Sequence, residues 1–340
     1  MKYFDAFSGY GGFSLGIQRA YENKRMVDTT RQADSVSGGQ EEEHGPGMGD
    51  THGTWSGVRT DEGIPTCIGF SEIDKYASQV YSKHFPTHKP YGSITDIDAS
   101  TLPDFDLFVG GFPCQAFSIA GKRGGFEDTR GTLIYDVLRI VKEKHPRLVL
   151  LENVKGLLSH DGGRTFKTII TALAELGYAV EWQVLNAKNF GVPQNRERVF
   201  IIGHLGGFGG RQVFPIGTGN ELDSQSDGQG DEVAYCLQAG GDKHRGSYVR
   251  AVLTPDRLEK RQNVRRIKEN GEPSFTLTGQ DKHGVFDGEK IRRLTPTECE
   301  RLMGLPDGWT EGVSDTQRYK LCGNGVVVNV VEEIIKSIIK

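Results

Sequence analysis

No apolar run in this 340-residue chain approaches the roughly 20 residues needed to cross a bilayer as a helix. Met1-Lys2 leads straight into a strand-like segment, without the staged pattern of a signal peptide. Cysteine is scarce and scattered: Cys67, Cys114, Cys236, Cys299 and Cys322 form no Cys-x-x-Cys pair. That spacing argues against structural zinc and a disulfide framework, so no metal is expected and a reduced, cytoplasmic setting is the simplest. An excess of positive charge is also missing, since the formal net charge is −4.

The charge deficit is local. Residues 28 to 63 hold eight acids against Arg31 and Arg59, a net of −6, which leaves +2 for the remainder. Residues 242 to 268 hold nine Lys or Arg against three acids, a net of +6. A global negative charge therefore hides a basic segment, and local charge is what attracts phosphates.

What is present is an alternation of strand-like and helix-like segments from Lys2 to Gly203, the pattern of a mostly parallel sheet covered by helices. Strands are predicted over 66–72, 106–110 and 147–152, and helices over 74–85, 131–143 and 165–176. Residues 29 to 63 interrupt the pattern with glycine, serine, threonine and acids. With no apolar periodicity to offset ordering entropy, they read as a disordered insertion between the first helix and the second strand. Residues 204 to 290 form a second region, entered through Gly206-Gly207-Phe208-Gly209-Gly210, with strand-like pieces at 248–253 and 274–278. Thr295-Pro296-Thr297-Glu298 has the form of a capping box with proline at the first helical position. The stretch from Val326 to Lys340 is apolar and helical in character.

Within this frame the segment Gly110-Gly111-Phe112-Pro113-Cys114-Gln115-Ala116-Phe117-Ser118 follows an apolar strand. It places Cys114 where open α/β sheets bind ligands, although a lone cysteine equally suits a small buried core position. A nucleophilic thiol needs an electrophile, activation and groups that handle charge. Four other segments offer them. Phe4-Asp5-Ala6-Phe7-Ser8-Gly9-Tyr10-Gly11-Gly12 reads as a strand and glycine-rich turn before a helix, fit for close approach to a ligand. Glu72 ends the second strand, where acidic residues hold ribose hydroxyls in doubly wound folds. Leu151-Glu152-Asn153-Val154 runs an apolar strand into a carboxylate, which could also be a surface glutamate. In Gln194-Asn195-Arg196-Glu197-Arg198 strand alternation puts the two arginines on one face, suited to an oxygen acceptor or to a solvated salt bridge.

The order of these blocks resembles the DNA cytosine-5 methyltransferases of bacteria and phages over nearly the whole chain outside the two irregular regions. The blocks are the Phe-Ser-Gly-Tyr-Gly-Gly turn, Glu72, Asp96-Ile97, Pro113-Cys114-Gln115, Glu152-Asn153-Val154, Gln194 to Arg198, Arg292 to Trp309, and Gly323-Asn324-Gly325-Val326. The resemblance implies a Rossmann-like S-adenosylmethionine-dependent fold, with residues 1–203 and 291–340 forming the catalytic domain and 204–290 a small β or irregular target recognition domain. It implies methyl transfer from S-adenosylmethionine to carbon 5 of a flipped cytosine in a specific double-stranded DNA sequence. Cys114 would attack carbon 6, Glu152 would hold or protonate ring nitrogen 3, and Arg198 with Arg196 would bind the carbonyl at position 2. Phe7, Gly9, Gly11, Gly12, Glu72, Ile73, Asp96, Ile97, Pro113, Asn324 and Val326 would hold the cofactor. Gln115, Ser118, Lys122, Arg123, Arg130, Arg250, Arg257, Arg261, Arg265 and Thr276 would contact DNA, and Phe117 to Asp128 would close over the base. The protein would act as a monomer, apart from any membrane and without a bound restriction endonuclease.

Two positions depart from the pattern: Ala120 stands where some relatives place a serine that enters the DNA, and Gly325 where most have serine. A tRNA-methylating relative is disfavoured by the long second region and the missing Cys-Phe-Thr tripeptide. A regulator without catalysis is disfavoured by the presence of Cys114, Glu152 and Arg198 together.

Overall fold

The computed structural model describes residues 1–36, 64–113, 133–209, 212–217, 250–255, 266–269, 271–286 and 290–340, with the side chains of the first helix described through Val27. Its frame is a six-stranded sheet ordered β2-β1-β3-β4-β6-β5. The strands are β1 (Lys2–Ala6), β2 (Thr66–Ser71), β3 (Leu107–Gly111), β4 (Leu148–Val154), β5 (Tyr178–Asn186) and β6 (Glu197–Leu205). The first four in chain order are parallel, as the βα alternation predicts, whereas β6 runs antiparallel between β4 and β5. The reversal follows from the short connection after β5, which holds only a 3-10 turn at Ala187–Asn189 and permits an antiparallel neighbour but no crossover.

Strand alternation sorts the core into two layers. Leu107, Val109, Leu148, Leu150, Phe200 and Ile202 face one cluster, which also includes Ile17 and Ile334. Phe108, Val149, Leu151, Val199 and Ile201 face the other, with Val137, Leu138, Ile169 and Leu173. The covering helices are α1 (Gly12–Val36), α2 (Lys75–His84), α3 (Leu133–Lys144) and α4 (Arg164–Glu175), followed by α5 (Pro296–Leu302), α6 (Asp315–Asn324) and α7 (Val328–Ile339). Asp74 caps α2 by accepting from the amides of Tyr76 and Ala77. The capping box at Thr295 and Glu298 is formed in full. α7 returns to α1, where Gly16 leaves room for Val331 and Asn23 donates to Glu332.

Residues 29–36, expected to be irregular, continue α1 as helix, because propagation from a formed helix is far easier than nucleation. The rest of the expected insertion lies outside the described residues. The second sheet holds β7 (Arg250–Leu253), β8 (His283–Phe286) and β9 (Ile291–Arg293) in antiparallel order. β9 pairs with β8, so Ile291–Arg293 joins this small sheet and not the large one. Residues 274–278 are not a strand. One bridge links Ser274 to Gln194, and the Arg196 and Gln194 side chains, just ahead of β6, bond the carbonyl and the amide of Leu277.

Candidate active site

The carboxyl ends of β1, β2, β3 and β4 open into a cavity of about 570 Å³, closed on the far side by the end of α6. This is where open α/β sheets place ligands. Register explains the central pair. Val154 lies opposite Arg198 and Glu152 opposite Phe200, so Glu152 and Arg198 are diagonal neighbours on one face. Arg198 Nε is 3.0 Å from Glu152 Oε1, and both side chains are largely buried. Burial raises the Glu152 pKa, and this outweighs the opposing pull of the Arg198 and Arg196 guanidiniums. Gly111 pairs with Glu152 across β3 and β4, and a Cβ there would come within 3.0 Å of Glu152 Oε2. The neighbouring Asn153 donates from Nδ2 to the Phe112 carbonyl at 2.8 Å, fixing the backbone that leads to Pro113, itself on the cavity wall.

Arg196 also borders the cavity, but its terminal nitrogens are engaged elsewhere. Nη1 donates to the Leu277 carbonyl at 2.8 Å, and Nη2 donates to Gly323 at 3.1 Å and Gly325 at 2.7 Å. Being 2% exposed, it ties three chain segments together, so the expectation that it shares the substrate carbonyl with Arg198 is not carried by its geometry. Gln194 works the same way, donating to Leu302 and accepting from the Leu277 amide. Neither clasp was legible locally, because the carbonyls they meet lie 81 to 129 residues away.

At the other end of the cavity the glycine turn is held open by unusual backbone. Phe7 has φ 53° and Gly9 φ 55°, and a non-glycine residue in that region is strain typical of a ligand site. The Gly9 amide donates to Glu72 Oε2 at 2.9 Å, and the Asp74 amide to Oε1 at 2.7 Å, so Glu72 is locked at the cavity edge with lone pairs left for hydroxyls. Ser8 Oγ is buried without a partner, and Ile73 is 76% exposed beside it on the cavity lining. An exposed isoleucine, a strained phenylalanine and a fixed carboxylate suit a flat heterocycle joined to a ribose, the adenosine half of S-adenosylmethionine.

Three expected cofactor residues stand elsewhere. Asp96 is exposed, where it accepts from Thr95, and Ile97 is buried in the second core cluster, so neither lines the cavity. Ser93 and Ile94 line it instead, because the short 3-10 turn over Ile94–Asp96 rotates the following residues away. Gly11 also faces the core, where a Cβ would meet Phe85 and Tyr81 within 2.7 and 3.2 Å. Phe7, Gly9, Gly12, Glu72, Ile73, Pro113, Asn324 and Val326 do line the cavity, and Tyr10 joins them unanticipated.

Of the expected DNA-contacting residues, Gln115, Ser118, Lys122, Arg123, Arg130, Arg257, Arg261 and Arg265 lie outside the described residues, as does Cys114. Arg250 sits half-buried on β7 with its Nε buried and unpartnered. Thr276 donates from its hydroxyl to the Asn195 carbonyl, which links the segment 274–278 to the clasp. Among the described residues no cluster of His, Cys, Asp or Glu could hold a metal ion. No described helix is long and apolar enough to cross a membrane.

The family profile described as C-5 cytosine-specific DNA methylase matches residues 52–225 and 243–340. The chain belongs to that family. The methyltransferase is 39% identical over 306 residues to the type II methyltransferase M1.ScrFI of Lactococcus lactis subsp. cremoris, covering 85% of this chain and 75% of that protein. It is 37% identical over 289 residues to the type II methyltransferase M.HhaI of Haemophilus parahaemolyticus, covering 80% and 87%. Its fold matches an Escherichia coli prophage protein solved as a putative DNA modification methyltransferase, with a TM-score of 0.59, 17% identity and 100% and 98% coverage. The methyltransferase therefore methylates carbon 5 of cytosine in DNA and takes the methyl group from S-adenosylmethionine.

Proposed function

We propose that the methyltransferase modifies one cytosine within a fixed double-stranded sequence, through a transient bond between Cys114 and carbon 6 of the base. The observation that carries this reading is the buried Glu152–Arg198 pair on the cavity wall, 3.0 Å apart, with the Glu152 pKa raised. The raised proton affinity of Glu152 favours its sharing or giving a proton at ring nitrogen 3 as charge develops there, and Arg198 can donate to the carbonyl at position 2. Together they take up the negative charge that thiolate addition pushes into the ring. Both side chains are recessed in the cavity, so a base stacked in a duplex cannot reach them and must be flipped.

Cys114 follows Pro113 directly in the sequence, and Pro113 lines the cavity. The alternatives among the described cysteines are poor nucleophiles: burial pushes the thiols of Cys67 and Cys299 up to about 12 and raises that of Cys322 well above its ordinary range. When bound, S-adenosylmethionine supplies an electrophilic methyl group on its sulfonium. Phe7, Gly9, Glu72 and Ile73 would hold its adenosine half, with Ser93 and Ile94 beside them and Asn324 and Val326 at the methionine end. Addition of the thiolate at carbon 6 makes carbon 5 nucleophilic. After methylation, loss of the carbon-5 proton restores the double bond and releases the thiolate.

In this reading residues 204 to 290 select the target, with β9 extending that unit to Arg293. The protein works as a cytoplasmic monomer, without a bound endonuclease, which light scattering of the purified chain tests. The decisive experiment incubates unmethylated genomic DNA with S-adenosylmethionine and reads it by cytosine-conversion sequencing, with Cys114→Ala in parallel. Protection of one cytosine in a short motif, lost in the variant, is expected. Equal protection by the variant would overturn the covalent step, and protection confined to RNA would overturn the substrate.

A further inference from the structure

Tyr10 borders the cavity yet is 1% exposed, and no step of the reaction above uses it. Its ring lies against the backbone of Gly325. A Cβ at that position would come within 2.1 Å of Tyr10 Cε1, 2.4 Å of Cζ and 2.7 Å of the hydroxyl oxygen. The ring cannot swing away, because it is held from several sides. The hydroxyl donates to the Val326 carbonyl at 2.5 Å, and Trp309 Nε1 donates to the Tyr10 carbonyl at 2.9 Å. Behind the ring, Gly12 leaves room that a Cβ would close, at 3.0 Å from Tyr10 Cε2 and 2.8 Å from Val326 Cγ1. On its other side the Gly325 carbonyl accepts from Arg196. Burial pushes the Tyr10 hydroxyl well above its ordinary range, so it stays a donor at any working pH.

We propose that Tyr10 and Gly325 are an interlocked pair, in which the Tyr10 ring takes the volume of a side chain at 325 and fixes the cavity wall formed by Asn324 to Val326. Tyr10 is thus a positioning residue for the methyl donor, acting through the Val326 carbonyl without touching the transferred group. The pair rests on reading this wall as the methionine end of the cofactor cavity. It predicts that a methyl group at 325 is harmful only while the ring is present, since leucine at 10 lacks the Cε1, Cζ and hydroxyl atoms that the Cβ would meet.

The test uses the full chain as wild type, Tyr10→Phe, Tyr10→Leu, Gly325→Ala and the Tyr10→Leu/Gly325→Ala double variant. Binding of S-adenosylhomocysteine is read by calorimetry, and KM for S-adenosylmethionine, kcat and thermal midpoint are read alongside. Gly325→Ala is expected to weaken binding by about tenfold or more, with the double variant recovering to within about threefold of Tyr10→Leu. Tyr10→Phe loses one hydrogen bond and should raise KM by about threefold to tenfold, with a much smaller fall in kcat and little change in midpoint. Should Gly325→Ala not fold, recovery of folding in the double variant reports the same interlock. Wild-type affinity in Gly325→Ala, or a double variant no better than Gly325→Ala, would overturn the pairing. A Tyr10→Phe protein that loses midpoint while keeping its KM would overturn the positioning role. Wild-type binding without any DNA methylation would instead refute the assigned reaction and leave the pair standing.

Discussion

Arg196 and Arg198 are two residues apart and border one cavity, yet substitution should separate them cleanly. Arg196→Met keeps the unbranched stem of the side chain, shortens it by about the guanidinium end and removes all of its donors. The carbonyls of Leu277, Gly323 and Gly325, now bonded at 2.7 to 3.1 Å, would lose a charged partner inside the protein. A buried acceptor left unpaired costs about 1–3 kcal/mol, and breaking a buried ionic network about 3–5 kcal/mol in total. The partners share one side chain and relax together, so the lower total applies, about 3–5 kcal/mol. For a chain of 340 residues that lowers the midpoint by about 4–7 °C. Arg198→Met removes the Glu152 partner and its donor toward the base, so the expected loss is in kcat, by about a hundredfold or more. Scanning calorimetry and methyl-transfer kinetics on the two variants separate the roles. An Arg196→Met protein with an unchanged midpoint but a hundredfold lower kcat would show that this guanidinium serves the base and not the carbonyls.

Glu152→Gln cannot donate its proton to ring nitrogen 3, so kcat should fall by about a hundredfold to ten-thousandfold with S-adenosylhomocysteine binding retained; a fall below tenfold in single-turnover assays would argue against proton donation. Gly111→Ala places a Cβ within 3.0 Å of Glu152 Oε2, and kcat should drop by about tenfold with a midpoint shift of only a few degrees, measured on the same preparations. Asp5 has no pocket role; burial raises its carboxyl from 3.8 to about 7, while burial lowers the His88 imidazole to about 4. The folded state thus holds the Asp5 proton longer than the unfolded state, so this group's contribution is complete below pH 3.8 and is lost as pH rises toward 7. His88 acts in the opposite direction, its folded form being disfavoured as pH falls from 6.5 toward 4. Asp5→Asn should therefore leave a stability that rises with pH over this window, and urea unfolding from pH 4.5 to 8 that shows a constant difference from wild type would refute the assignment.

Much of this was written locally. The continuous apolar runs 107–109 and 148–151 specified strands with two buried faces, and Asp74 and the Thr295–Glu298 box marked helix starts to within a residue. The position of Glu152 followed from the end of the second run, and the face assigned to the two arginines from strand alternation. One failure of the sequence reading lies in a short irregular turn: Asp96 ends the 3-10 turn Ile94–Asp96 and Ile97 caps it, so Ser93 and Ile94, which line the cavity, were missed by three residues.

What only the tertiary structure decided is which groups meet at long range. Local sequence sets where a side chain points, but not which carbonyls arrive opposite it. Leu277, Gly323 and Gly325 reach Arg196 because α7 folds back on α1 and brings the end of α6 to the cavity. The same return path seats Gly325 on Tyr10 across a sequence separation of 315, a contact that no periodicity encodes. The order of chemical groups along the chain thus determined the reaction, and the packing of distant backbone determined which of two adjacent arginines is free to serve it.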